Sequence, residues 1–272
     1  MCKPIIKWVG GKRQLLNEIK DLMPKKYNRY FEPFIGGGAL FFELKPKNAV
    51  INDYNKELSN LYTVVRDNPS ELIDSVCKHK NESDYYYETR ALDREEETYS
   101  KLSSIEKASR FIYLNKTGFN GLYRVNSKGQ CNVPFGRYKN PAYCDPKNLQ
   151  KCSDLLKHTE ILNGDFEGIK DKIQKGDFVY LDPPYVPLNV TSSFTGYTEN
   201  GFDEDMQLRL RKLCDHIDNI GAYFMLSNSY TDFILELYDV DGYTINTVEA
   251  NRSINSKGDG RGKVKEVIVT NY

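Results

Sequence analysis

Seven short runs of β-branched and aromatic residues punctuate the chain, each bounded by Gly, Asn, Asp or Pro, and each reads as a buried strand. They lie at 30–35, 49–52, 160–163, 178–181, 222–226, 243–248 and 264–270. Helical spacing recurs between them. Residues 55–66 set Leu58, Leu61, Tyr62 and Val65 on one face, and residues 203–220 do the same with Met206, Leu210, Leu213 and Ile217. Asp203 stands where a helix N-cap is wanted and Gly221 where a helix closes. Strand–helix alternation at both ends predicts an α/β sheet interrupted in the middle. The core is expected at 1–56 and 159–272, with an insertion over 57–158 that carries ligand specificity. That insertion is helical and acidic first, then loop-rich, aromatic and basic.

Charge sharpens this division. The 272 residues hold 38 Lys+Arg against 38 Asp+Glu, so the net charge is zero and the total gives no sign of a polyanionic partner. Residues 107–151 nevertheless carry nine bases and one acid, a local +8, and residues 82–106 carry eight acids and three bases. Residues 251–265 are also basic, with five Lys/Arg and one Asp. Charge runs of this kind usually face solvent. The 107–151 run also interleaves Phe111, Tyr113, Phe119, Tyr123, Phe135 and Tyr138 with glycines and prolines. Stacking platforms beside cations are what a nucleic-acid surface requires. No run of 18 apolar residues occurs, so a membrane span is not expected. The N-terminal residues lack a signal-peptide pattern, which points to a cytoplasmic location. Six Cys without a Cys-x-x-Cys pair are expected as reduced, partly buried thiols, and three unpaired His make a metal site unexpected.

Three motifs carry chemistry. In Phe31-Glu32-Pro33-Phe34-Ile35-Gly36-Gly37-Gly38, a strand runs into a glycine-rich turn that would admit a ligand at a sheet edge, and Asp53 closes the next strand where an acid commonly meets ribose hydroxyls. Taken alone, an ordinary glycine-rich turn with a strand-end Asp explains it slightly better. In Lys7-Trp8-Val9-Gly10-Gly11-Lys12, Arg13 replaces the hydroxyl residue of a P-loop and Ile6 its leading glycine, which excludes a triphosphate cradle. The third motif, Asp182-Pro183-Pro184-Tyr185, directly follows an apolar strand that Pro-Pro cannot continue. Such an exit presents the Asp182 carboxylate, the Pro183 carbonyl and the Tyr185 ring together. Two acceptors beside an aromatic face suit a planar amino-heterocycle.

Together these residues resemble the Dam family of DNA adenine-N6 methyltransferases, whose motifs run in the order glycine-rich loop, recognition domain, Asp-Pro-Pro-Tyr. The resemblance spans 7–12, 31–44, 52–53, 115–141, 163–166, 178–187 and 264–272. It implies a Rossmann-like, S-adenosylmethionine-dependent α/β methyltransferase sheet with an inserted, mainly helical DNA-recognition domain carrying a β-hairpin. It further implies that Trp8, Lys12, Phe34, Gly36, Gly38, Asp53, Asp165, Phe166 and Asp182 bind the cofactor, which leaves as S-adenosylhomocysteine, with no metal involved. Asp182, Pro183 and Tyr185 would be catalytic, acting on an adenine flipped from duplex DNA. Lys7, Phe119, Asn120, Leu122, Arg124, Pro134 and Arg137 would contact DNA. Arg124 is the natural guanine reader and Leu122 and Pro134 would meet a thymine methyl, which suggests GATC. Phe119 stands where the family commonly has Tyr as a wedge, losing a hydroxyl but keeping the stacking face. A cognate restriction endonuclease acting on the same site is the partner to expect in a restriction–modification pair.

Other classes fit less well. Cytosine-N4 methyltransferases typically carry Ser where Asp182 stands. Cytosine-C5 enzymes need a nucleophilic Cys, usually after Pro, and no Cys here follows Pro. A nicotinamide-dependent oxidoreductase would explain Asp53 but not Asp182–Tyr185, and a DNA-binding module without catalysis would have no use for the glycine loop.

Overall fold

A computed structural model of the chain describes residues 2–186, 202–251 and 263–272. The chain divides into two compact units, one of Met1–Gly11, Gly36–Lys47 and Asn55–Asn163, the other of Lys12–Ile35, Asn48–Tyr54 and Gly164–Tyr272. All seven expected strands form: β1 (Tyr30–Glu32), β2 (Ala49–Asp53), β3 (Thr159–Asn163), β4 (Phe178–Leu181), β5 (Tyr223–Ser229), β6 (Thr244–Asn251) and β7 (Lys263–Thr270).

The second unit holds six of them in the order β2-β1-β4-β5-β7-β6. The pairings β1–β2, β1–β4 and β4–β5 are parallel, and β7 runs antiparallel to both β5 and β6. This is a mostly parallel, Rossmann-like α/β sheet. Its order reverses between β1 and β4, and ligands bind outside the carboxyl ends of strands at such a switch point. β1 ends at Glu32, short of the expected residue 35, because Pro33 has no N–H to continue a ladder. Phe31, Phe178, Leu181, Phe224, Leu226 and Ile268 are completely or almost completely buried, each contributing roughly 1.5–3 kcal/mol of transfer free energy. The helix Glu204–Asn219 buries Leu210, Leu213 and Ile217, as its spacing predicts. Asp203 caps it by accepting from the Met206 amide at 3.0 Å, and Gly221 follows it in the left-handed region at φ 75°.

The first unit is mainly helical. It contains Lys56–Asp67, Pro69–Val76, Ser83–Ala91, Ser104–Thr117 and Pro146–Leu156. Asn55 caps the first of these, and Ser103 with Glu106 forms a complete capping box on the helix Ser104–Thr117. Part of the acidic run serves this packing. Asp93 pairs with the buried Arg110 at 2.8 Å and accepts from the Cys131 amide at 2.7 Å, while Arg90 donates to the Val133 carbonyl at 2.8 Å. One of the nine bases in 107–151 is therefore an internal strut rather than a surface cation. Much of the basic stretch 251–265 lies outside the described residues.

The expectation of reduced thiols is corrected at two positions. Cys77 and Cys144 form a disulfide with their Cα atoms 4.9 Å apart, inside the bridgeable range. Their separation of 67 residues hides the pairing from sequence spacing. Cys2, Cys131, Cys152 and Cys214 are free. Alkylation in denaturant without reductant is expected to modify these four thiols, and all six after reduction. Closing so long a loop stabilises by about 4 kcal/mol in the chain-entropy description, so Cys77→Ser should lower the urea midpoint markedly. Six reactive thiols without reductant would refute the bridge.

Candidate active site

The second unit gathers its chemistry at the carboxyl ends of β1, β2 and β4. Asn52, buried at the end of β2, donates to the Pro33 carbonyl at 3.1 Å and to the Gly164 carbonyl at 3.0 Å, tying two chain exits together. Asp53 follows it, half-buried. Phe34 then faces Phe166 with centroids 5.3 Å apart, and Phe202 completes an aromatic group at 5.8 and 6.0 Å from these two. Asp165 caps the turn that carries Phe166, accepting from the Glu167 amide at 2.9 Å. Arg209 pairs with Asp165 at 2.9 Å, also bonds Glu167, and lies 5.2 Å over the Phe166 ring.

Past β4, Pro183 and Pro184 carry the chain out of the sheet. Lys12 reaches Asp182 with its Nζ 2.8 Å from Oδ1, and the same ammonium lies 4.5 Å from the centre of the Tyr185 ring. Both side chains are largely hidden, at 8% and 18% exposure, so this is a desolvated ion pair. Burial pushes the Asp182 carboxyl above its ordinary range, Glu266 adds to that, and Lys12 opposes both. Tyr185 donates its hydroxyl to Glu266 Oε2 at 2.9 Å, and burial drives this phenol well above its ordinary pKa.

The rest of the loop is hooked from below. Gln207 donates to the Pro184 carbonyl at 3.3 Å and is itself held by Asn228 at 3.1 Å. Asn228 accepts from the Val186 amide at 3.4 Å, and Ser229 donates to the Val186 carbonyl at 2.8 Å. Among the described residues no group donates to the Pro183 carbonyl. Asp182, Pro183 and Tyr185 are thus brought together with Lys12. Sequence reading missed Asn52 as a tether, Arg209, Gln207, Asn228, Ser229 and Glu266. The last five sit in later elements with no local motif to mark them.

The remaining expected residues belong to the first unit. Asn115, buried in the helix Ser104–Thr117, accepts from the Lys7 amide at 2.8 Å and donates to the carbonyls of Lys7 and Gly121 at 2.9 and 3.1 Å. This holds Lys7 and Trp8 against the segment after the helix, where Trp8 stacks on Tyr123 at 5.2 Å. The glycine loop accommodates the same indole. A Cβ on Gly36, which sits at φ 46°, would fall 2.7 Å from the Trp8 ring. Tyr62 donates to the Gly36 carbonyl at 2.7 Å, and Gly38 in the left-handed region begins the helix Ala39–Leu44.

The expected hairpin is present as two antiparallel bridges, Gly118 with Phe135 and Val125 with Cys131, closed by a turn in which Asn126 accepts from the amides of Lys128 and Gln130. Phe119 is 50% exposed. Asn120 and Arg137 are exposed in the left-handed region, at φ 57° and 54°, and Pro134 is exposed beside them. Arg124 is exposed but braced: its Nε donates to Asn132 Oδ1 at 2.7 Å and its Nη2 to the Asn132 carbonyl at 3.2 Å. Leu122 packs against the cluster of Tyr86, Tyr113, Leu114, Cys131 and Val133. Among the described residues no group of three or more His, Cys, Asp or Glu is placed to hold a metal ion.

The model of the D12 class N6 adenine-specific DNA methyltransferases matches residues 8–254. The type II methyltransferase M1.LlaDCHI of Lactococcus lactis subsp. cremoris is 50% identical over 274 residues, covering 99% of this chain and 95% of its own length. The type II methyltransferase M.MjaIII of Methanocaldococcus jannaschii is 43% identical, covering 99% of each. A DNA adenine methylase of Haemophilus influenzae is 35% identical, covering 98% of this chain and 92% of its own length.

The ion pair makes a prediction independent of activity. Lys12→Met removes the charge that opposes burial, so Asp182 should take up its proton at higher pH than in the parent protein. Carbon-13 NMR titration of the aspartate carboxyls measures this, and an unmoved Asp182 would refute the electrostatic assignment.

Proposed function

The chain belongs to the D12 class of N6 adenine-specific DNA methyltransferases, and from that membership we propose that it transfers a methyl group from S-adenosylmethionine to an adenine within GATC in duplex DNA. The single observation that carries the mechanism is the Asp182–Tyr185 exit from β4. There a carboxylate and an unengaged carbonyl stand beside an aromatic ring at the sheet's switch point.

The residues suit the cofactor. Phe34, Phe166 and Phe202 offer aromatic faces for a purine, and the half-buried Asp53 at the end of β2 offers acceptors for ribose hydroxyls. Asp165, Lys12, Trp8, Gly36 and Gly38 complete the set that would hold it. S-adenosylmethionine supplies an electrophilic methyl group on a sulfonium sulfur and leaves as S-adenosylhomocysteine. The chain's own task is to make an amine nucleophilic. An exocyclic amine conjugated to a purine is planar and a poor nucleophile. Asp182 and the Pro183 carbonyl accept its two N–H hydrogens, which favours a pyramidal nitrogen and localises its lone pair. Tyr185 stacks on the base and fixes the direction of that pair, so positioning and charge complementarity supply the rate. Residues 57–158 form the reading domain. Arg124, held straight by Asn132, reads guanine, Phe119 fills the stack that the flipped adenine leaves, and Lys7, Asn120 and Arg137 meet phosphates or bases. Leu122 and Pro134 contact a thymine methyl. The relatives bearing type II names support pairing with a restriction endonuclease of the same specificity.

Methyl-labelled S-adenosylmethionine and GATC duplex, followed by digestion to nucleosides, should place the label in N6-methyladenine. Label in N4-methylcytosine, or none, would overturn the proposal. Asp182→Ala should lower single-turnover transfer by at least about 10²-fold, the usual loss on removing one transition-state group, with DNA binding largely kept. Arg124→Ala should relax choice at one base pair by about 1–3 kcal/mol, whereas equal weakening on all sequences would make Arg124 a phosphate contact.

A further inference from the structure

We propose that Glu266 is a positioning residue for the reaction, acting through the Tyr185 hydroxyl to hold the ring on which the target base stacks. The inference rests on the reading of Tyr185 as that platform. The geometry is specific. Tyr185 follows two prolines that set the direction of the backbone but leave its side chain free to rotate about χ1 and χ2. Two contacts remove that freedom. The Lys12 ammonium lies over one face at 4.5 Å, and the hydroxyl donates to Glu266 Oε2 at 2.9 Å. Lys12 also bonds Asp182, so its contact couples the ring to the carboxylate rather than to the scaffold. Glu266 is the contact that couples it to the scaffold. Its backbone sits in β7, opposite Ser229 on β5 and Val248 on β6, and the next three residues, Val267, Ile268 and Val269, are fully buried.

A central strand packed in this way does not drift, and a phenol bonded to it holds its plane. A stacking face must lie within a few tenths of an ångström of its base for the reacting pair to align, and small misplacements are costly in rate. Glu266 acts on Asp182 as a nearby like charge. Its role toward the ring is to accept one hydrogen bond, which a neutral amide oxygen can also do.

The test is a cycle of Glu266→Ala, Glu266→Gln, Tyr185→Phe and the double variant Glu266→Ala/Tyr185→Phe. Each is measured by single-turnover methylation at saturating DNA and S-adenosylmethionine. Glu266→Ala and Tyr185→Phe should each slow transfer by a similar factor, about 10-fold for one lost charge-assisted hydrogen bond. Glu266→Gln should recover most of that rate. The double variant should be no slower than either single one, because both remove the same bond. Duplex carrying 2-aminopurine at the target position should show altered quenching in Glu266→Ala, since stacking on Tyr185 has changed.

Parent-like rates in Glu266→Ala, multiplicative losses in the double variant, or Glu266→Gln as slow as Glu266→Ala would each overturn the proposal. If Glu266→Ala does not fold, the ratio of Glu266→Gln to Tyr185→Phe decides alone, since only the first keeps the bond. An absence of adenine methylation by the parent protein would refute the underlying reading instead, and is seen before any variant is made.

Discussion

The site depends on a carboxylate placed where burial works against its charge. Asp182 leaves β4 into largely desolvated surroundings, which favour the protonated acid, and Glu266 nearby adds a like charge. Lys12 opposes both from 2.8 Å. A half-shielded ion pair of this kind contributes little net stability, because the desolvation of two charges offsets their attraction, yet removing one partner leaves the other uncompensated. The arrangement makes sense as a device that keeps an acceptor available at a defined point. It explains why the surroundings are so heavily bonded. A carboxylate under these opposing pulls performs only if its distances do not change.

Those distances are set by sheet topology and by proline. The strand order reverses between β1 and β4, and ligands bind outside the carboxyl ends of strands at such a point. Pro183 and Pro184 cannot pair with a neighbour, so the chain leaves the sheet after β4 instead of extending the ladder. The buried polar groups of that exit still need partners. Gln207, Asn228 and Ser229 satisfy the Pro184 carbonyl and both polar groups of Val186, and Glu266 takes the Tyr185 hydroxyl. The engaged groups flank the Pro183 carbonyl, to which no described residue donates, so the described part of the exit is anchored on both sides of that acceptor.

Strands and motifs were legible in the sequence because their signals are local. Alternation breaks at Pro33 and at Pro183, helices open at Asn55 and Asp203, and Asp182-Pro183-Pro184-Tyr185 is contiguous. The supports were not legible for the opposite reason. Glu266 lies 81 residues beyond Tyr185, and nothing in a single strand marks which of its charged residues turns toward a loop. The Cys77–Cys144 bridge is hidden likewise by distance along the chain. The glycine loop shows a subtler case. Its glycines read as room for a ligand, and the structure fills the space beside Gly36 with Trp8, a packing demand that leaves the same sequence trace.

Charge is where sequence and structure correct each other most usefully. The zero total conceals a basic segment, but that segment is not uniformly a surface. Arg110 is buried against Asp93, and Asp93 also anchors the strand at Cys131. Some acids upstream are therefore structural partners of the hairpin rather than a neutralising background. This has an electrostatic consequence. An internal pair cancels within a few ångströms, so Arg110 adds nothing to the field beyond a Debye length. Arg124 and Arg137 remain exposed, as do Glu82, Asp84, Glu88, Glu95, Glu96 and Glu97 of the acidic run. The field that a polyanion meets at the first unit is set by these exposed bases and exposed acids together, and counterion release makes that encounter depend on salt.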